Sequence, residues 1–227
     1  MSLSVKKITH NGLRIIHAST ENKSQMKFKY TLLLLLPLLI SSCATTISTP
    51  KKEYQLAKHK LKSHWKPDSE KWLMQNDTLI GNGGPMIWAT IVSKKQLPKN
   101  YEITFKANMT KESLFEIMLN LDHEKYIRTY LYQINQNIII GRGKYVENSN
   151  KYGDRGGPTL FSKPMKLENN HWYSIKIRVL NNQLSFSVDD DTTLECSIEK
   201  SNLSQHGKLG FITNGEVKIT DLIIKSI

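Results

Sequence analysis

Residues 171–191 read HWYSIKIRVLNNQLSFSVDDD, and this stretch decides the fold. Tyr173, Ile175, Ile177 and Val179 alternate with Trp172, Ser174, Lys176 and Arg178; Leu184, Phe186 and Val188 alternate with Gln183, Ser185 and Ser187. Successive side chains of a strand point to opposite faces, so a period of two predicts two half-buried strands. Asn181-Asn182 predicts a tight hairpin between them, because Asn tolerates the left-handed backbone such a turn requires. Asp189-Asp190-Asp191 falls where the next hairpin must turn. Three adjacent carboxylates also suit Ca²⁺, a hard ion that takes oxygen ligands.

The same alternation extends outward. Tyr101, Ile103, Phe105 and Ala107 share one face of a predicted strand, and Phe115, Ile117, Leu119 and Leu121 share one face of the next. Near the end, Val217, Ile219, Asp221 and Ile223 alternate with Lys218, Thr220, Leu222 and Ile224. Turn signals at Leu97–Asn100, Gly153–Pro158 and Asn214-Gly215 separate these runs, and no stretch after residue 66 has a 3.6-residue period. Many short strands at regular spacing predict an all-β fold, an antiparallel β-sandwich or barrel. Cys196 lies on the apolar side with Leu194 and Ile198 and reads as a core residue.

Composition bounds the function. The 227 residues are 39% apolar, 23% charged and 8% aromatic, with two cysteines and a net charge of +12. These values exclude a wholly disordered chain, a polytopic membrane protein and a disulfide-dense scaffold. The longest apolar run, Tyr30–Ile40 (YTLLLLLPLLI), has 11 residues, against roughly 20 for a membrane-spanning helix. Met26, Lys27 and Lys29 precede it and Ser41, Ser42 and Cys43 follow it, the pattern of a secretory signal. Ile40-Ser41-Ser42-Cys43 resembles a bacterial lipobox. That resemblance implies cleavage before Cys43 and a lipid on its thiol. Ala44, in place of Asp, implies the outer membrane in a Gram-negative cell. Residues 1–25 stand ahead of the signal and are expected to be a mis-called start, 26–42 the signal peptide, 43–64 a lipid-anchored tether and 65–227 the domain. From Cys43 onward the chain has 26 basic and 19 acidic residues, a net +7 of mixed sign. This predicts no nucleic-acid partner and favours an anionic membrane surface or an acidic polysaccharide. His59, His64, His123, His171 and His206 show no metal-ligand spacing, so no metal site is expected from them.

Trp72–Gly81 (WLMQNDTLIG) looks like the opening of concanavalin A-like jelly-roll domains. Residues 97–105 (LPKNYEITF), 171–177 with 183–189, and Gly207–Phe211 with 217–224 look like their later strands. The resemblance covers most of residues 70–227. Its nearest group is the 3-keto-disaccharide hydrolase-like and laminin-G-like sugar domains, which implies a jelly roll that engages carbohydrate. Phe211–Gly215 lacks the histidine of the keto-sugar group's Gln-x-His-Gly segment. Asp122-His123-Glu124 is one carboxylate short of the glycosidases' Glu-x-Asp-x-(x)-Glu strand.

The densest local chemistry is YIRTYLYQ, residues 126–133. In a strand, Tyr126, Arg128, Tyr130 and Tyr132 share a face, and the preceding strand offers Glu116, Met118, Asn120 and Asp122 beside them. Rings that stack on sugars and planar polar groups that bind hydroxyls form a carbohydrate surface, which Arg142 and Trp172 would extend if their strands are neighbours. The competing reading is a solvated sheet face paired for stability alone. Glu116, Asp122 and Glu124 are the acid/base candidates if the protein is an enzyme. The sequence thus predicts a lipid-anchored carbohydrate-binding sandwich for acidic or sulfated glycans. The alternatives are a glycoside or 3-keto-sugar hydrolase and a structural lipoprotein that contacts protein partners.

Overall fold

The computed structural model describes residues 53–55, 61–67, 70–84, 88–110, 113–149 and 152–227. The start, signal and lipidation expectations for residues 1–52 lie outside the described residues. In chain order the strands are β1 (Glu53–Gln55), β2 (Trp65–Pro67), β3 (Trp72–Gln75), β4 (Thr78–Asn82), β5 (Ala89–Gln96), β6 (Tyr101–Met109), β7 (Leu114–Asp122) and β8 (Lys125–Tyr132). They continue with β9 (Asn137–Tyr145), β10 (Arg155–Gly156), β11 (Thr159–Pro164), β12 (Trp172–Leu180), β13 (Gln183–Val188), β14 (Thr192–Ser197), β15 (Lys208–Thr213) and β16 (Glu216–Ser226). One helical turn, Leu61–His64, precedes β2.

The strands form two antiparallel sheets. The first has the order β14-β13-β12-β6-β16-β4-β3, with β1 also paired to β16. The second has the order β10-β9-β8-β7-β15-β5-β2, with β11 also paired to β9. Two sheets face to face, each with alternating inward residues, make the expected sandwich. The sandwich takes in chain upstream of the expected start at residue 65, because β1 pairs with the free edge left by β16 at Ile223–Lys225.

The inward faces meet in one apolar cluster. Phe211 lies 5.5 Å from the Trp65 ring and 5.7 Å from both Phe105 and Phe115. Each fully buried side chain of this size contributes about 1.5–3 kcal/mol. Cys196 is buried among these residues, and burial pushes its thiol pKa up.

The predicted hairpins form as expected. Asn181 and Asn182, the two-residue loop between β12 and β13, have φ of 50° and 62°; the three-residue Asp189–Asp191 loop between β13 and β14 has φ of 54° and 57° at Asp189 and Asp190. Asp189 Oδ1 accepts a hydrogen bond from Ser174 N at 2.6 Å, so this carboxylate ties the turn to β12. Among the described residues, no three His, Cys, Asp or Glu side chains converge as metal ligands.

Two bulges overturn the predicted alternation. In β7 the register shifts between Leu119 and Asp122, and Asn120 adopts φ 53°. Its side chain turns inward, where Tyr101 Oη donates to Asn120 Oδ1 at 3.1 Å, while Leu121 joins Met118 and Tyr126 on the outer face. In β16 the shift between Thr220 and Ile223 sends Leu222 into the core in place of Asp221. An extra residue in one strand reverses every face beyond it.

Candidate functional site

The outer face of the β10-to-β2 sheet is not the solvated face that alternation predicts. Glu116, Met118, Tyr126, Arg128 and Tyr130 are all buried. A second layer of side chains fills this face: Met118, Leu121, Tyr126, Tyr145 and Ile212 form one cluster, and Leu114, Tyr130 and Ile139 another. Trp88 packs against both. Tyr145 at the end of β9 and Arg155 of β10 close over them. Arg155 Nη1 donates to Thr90 Oγ1 of β5 at 2.7 Å, its guanidinium lies 4.9 Å from the Tyr145 ring, and Lys66 of β2 pairs with Glu147.

Glu116 and Arg128 stand at the centre. Arg128 Nε donates to both Glu116 oxygens at 3.1 Å and Nη2 donates to Oε2 at 2.8 Å. Tyr126 Oη donates to Glu116 Oε1, and Arg128 Nη1 donates to the Gly157 carbonyl. The guanidinium also lies 4.4 Å from the centre of the Tyr130 ring. Burial alone would lower the Arg128 pKa, but Glu116 more than reverses this and holds it above its ordinary value. Burial, then the charge and hydrogen bond of Glu116, push the Tyr126 phenol well above its usual range. A carboxylate whose oxygens already accept four hydrogen bonds is an electrostatic anchor, unsuited to moving a proton.

Two clefts flank the Gly156-Gly157 ridge. The first, about 620 Å³, is lined by Trp88, Leu114, Tyr130, Tyr132 and Ile212 beside Arg128, Arg155 and Lys144. The Tyr130 and Tyr132 rings are 6.2 Å apart and tilted by 56°. The second, about 900 Å³, lies between the β7–β8 turn, β9, Pro158 and the Asn202–Ser204 loop. Gly157 has φ +153°, and a Cβ there would collide with the Arg142 carbonyl, so only glycine lets the ridge lie this close to β9.

Of the residues singled out from sequence, Glu116, Tyr126, Arg128, Tyr130 and Tyr132 come together on this face. Asn120 does not: the β7 bulge turns it toward Tyr101, and its Nδ2 donates to the Ser204 carbonyl at 2.9 Å. Trp172 belongs to the opposite sheet, paired with Asn108 and exposed. Arg142 pairs in register with Ile127, so it has core-face parity, yet it is exposed and lines the second cleft. Asp122 ends β7, and Glu124 lies in the β7–β8 turn beside His123, which takes φ 51°. Asp122 faces His206 at 3.3 Å, and Glu124 lies 3.9 Å from Lys144. Sequence reasoning missed Trp88, Leu114, Ile212 and Arg155. The signal for Arg155 was its place in the glycine-rich loop Gly153–Pro158, which does border both clefts.

No family model and no curated protein matches this sequence. Solved structures do match it in fold. The carbohydrate-binding module CBM66 from Bacillus subtilis is 11% identical, with a TM-score of 0.58 over 72% of this chain and 96% of that one. A protein of unknown function with a galectin-like fold, also from Bacillus subtilis, is 10% identical, with a TM-score of 0.58 over 78% and 98%. The carbohydrate recognition domain of Emp46p is 10% identical, with a TM-score of 0.56 over 75% and 95%. At these identities the likeness concerns architecture: the chain is an all-β, antiparallel β-sandwich of the galectin-like jelly-roll kind.

Proposed function

We propose that this protein is an exported, lipid-anchored carbohydrate-binding β-sandwich, held to the membrane through Cys43 and binding acidic or sulfated glycans. The observation that carries the reading is the 620 Å³ cleft, where Trp88, Tyr130 and Tyr132 stand beside buried guanidinium groups on a rigid sheet. Its volume is that of a small-molecule site, roughly 300–1,000 Å³. Ring faces in that setting stack on the apolar faces of sugars. The fold shared with CBM66 and with the Emp46p recognition domain supports the same reading. The hydrolase alternative needs a carboxyl group free to transfer protons, and the hydrogen bonding of Glu116 makes it a poor candidate.

The test is a glycan array of neutral, acidic and sulfated sugars, probed with the full chain in mild detergent, with and without Ca²⁺. Binding without product, weakened by Tyr130→Ala or Trp88→Ala in a folded protein, is the expected result. Product formation would favour a hydrolase acting through Asp122 or Glu124. An array with no binding would leave a structural lipoprotein that contacts protein partners.

A further inference from the structure

Resting on the carbohydrate reading, we infer that the negative charge of the ligand is recognised by Arg142 and Lys125 in the 900 Å³ cleft, and not by Arg128 beneath the aromatic rings. The ligand is then an oligosaccharide that crosses the Gly156-Gly157 ridge. Neutral sugar faces lie on Tyr130 and Trp88, and a carboxylate or sulfate lies in the second cleft.

The argument begins with which cations are already committed. Arg128 is neutralised by Glu116 and tied to the Gly157 carbonyl. Arg155 donates to Thr90 Oγ1 and to the Ser149 carbonyl. Neither guanidinium can turn to a ligand without breaking buried hydrogen bonds. Across the ridge the situation reverses. Arg142 and Lys125 line the second cleft and make no ion pair among the described residues. Two acids share this cleft: Asp122, in register with Lys125, lies 3.3 Å from His206, and Glu124 lies 3.9 Å from Lys144, so neither is paired with Arg142 or Lys125.

The two cations are also placed to act together. Lys125 pairs in register with Lys144 and Ile127 with Arg142, so Lys125 and Arg142 are diagonal neighbours, about 7–8 Å apart in an antiparallel pair. Arg142 N donates to the Pro158 carbonyl at 3.1 Å, which fixes the strand that bears its guanidinium. A planar fork on a fixed strand suits the two oxygens of a carboxylate or sulfate, with Lys125 as the second charge. The opposite wall offers Ser204, whose Oγ donates to the Asn120 carbonyl at 2.7 Å, so Asn120 acts as a positioning residue for this cleft. Gly156, Gly157 and Lys144 border both clefts, which makes them one groove divided by a low ridge.

The experiment is calorimetric titration of the full chain in detergent with three ladders of one to six sugars: oligogalacturonates, neutral galactose oligomers and sulfated galactose oligomers. The variants are Arg142→Ala, Arg142→Lys and Lys125→Ala, with far-ultraviolet circular dichroism and melting as fold controls. Expected is tighter binding of an acidic ladder than of the neutral one, with a gain once the oligomer is long enough to cross the ridge. Arg142→Ala is expected to weaken the acidic oligomer about tenfold, the cost of a lost charge-assisted hydrogen bond. It should also flatten the salt dependence and spare the neutral ladder. Whether the carboxylate or the sulfate ladder carries the effect identifies the anion. Unchanged acidic affinity in a folded Arg142→Ala protein overturns the inference and leaves the carbohydrate reading intact. So does binding of neutral oligomers alone. No binding in any ladder overturns both.

Discussion

Replacing Glu116 with Gln keeps the shape of the side chain and removes its charge. In the native protein that carboxylate accepts from Arg128 Nε and Nη2 and from Tyr126 Oη. The side chains of Glu116 and Arg128 are only 3% and 9% exposed. The substituted amide would turn a donor toward a guanidinium that has only donors, leaving a buried positive charge with too few acceptors. Breaking a buried pair on one side costs about 3–5 kcal/mol. At about 2–4 °C per kcal/mol for a domain of this size, the melting temperature should fall by roughly 10 °C. Urea unfolding followed by tryptophan fluorescence measures the loss. The triple change Glu116→Leu, Tyr126→Phe, Arg128→Met removes the three side chains of the network, leaving only the carbonyl of the exposed Gly157 to water, and should regain most of the loss, because buried pairs hold little advantage over apolar packing. A cost below about 1 kcal/mol for Glu116→Gln would place the pair in the class of solvated surface bridges. The claim that Arg128 is unavailable to a ligand would then fail.

Three further outcomes are expected. Gly143→Ala should cost about 1–3 kcal/mol or more by overpacking, because an added Cβ meets the Tyr126 ring, whereas Gly84→Ala, with open space around it, should be near neutral; paired thermal melts check both. Alkaline titration should destabilise the fold: Tyr101 and Tyr126 have pKa values raised above the usual 10.0 by burial, so the unfolded chain loses these protons first. Their contribution is complete below pH 10 and is lost as pH rises from there toward the folded-state values, which urea midpoints measured across pH 9–11 would register. Cys43→Ser should abolish palmitate incorporation and move the protein from the membrane to the soluble fraction, read by metabolic labelling and fractionation.

The core was legible because one face of each strand simply obeys the period of two. Tyr173, Ile175, Ile177 and Val179 are all buried where alternation places them. Alternation says which face a residue takes, provided that the strand has no bulge. At Asn120 and Asp221 it has one, and both adopt positive φ, which Asn and Asp accept more readily than most residues. Those two residue types inside otherwise apolar strands were the available signal. The outer face of the second sheet was harder to read. Arg128 and the tyrosines were found together, but the burial of that face depends on Tyr145 at the end of β9 and on Arg155, which returns over it from beyond that strand. Nothing local to YIRTYLYQ tells of that return. For the same reason Arg128 reads as a free cation from its own strand, when its partner Glu116 lies diagonally across in β7.

That burial bears directly on how a ligand would be held. An open concave face with long basic side chains would have to order them on binding, at about 0.5–1.5 kcal/mol for each side chain immobilised. Here Tyr130 is already held by Arg128 against one side and by Tyr132 nearby, and Arg128 is in turn fixed by Glu116. The ion pair therefore does for the rings what a metal does in other sites: it fixes a stacking surface without itself touching the ligand. Arg142 and Lys125 stand apart, in the larger cleft, where solvent weakens each interaction but salt dependence reports it. A rigid aromatic platform and a separate anionic subsite make two demands of a ligand, and only an oligomer that carries charge at a distance from its stacked residue satisfies both.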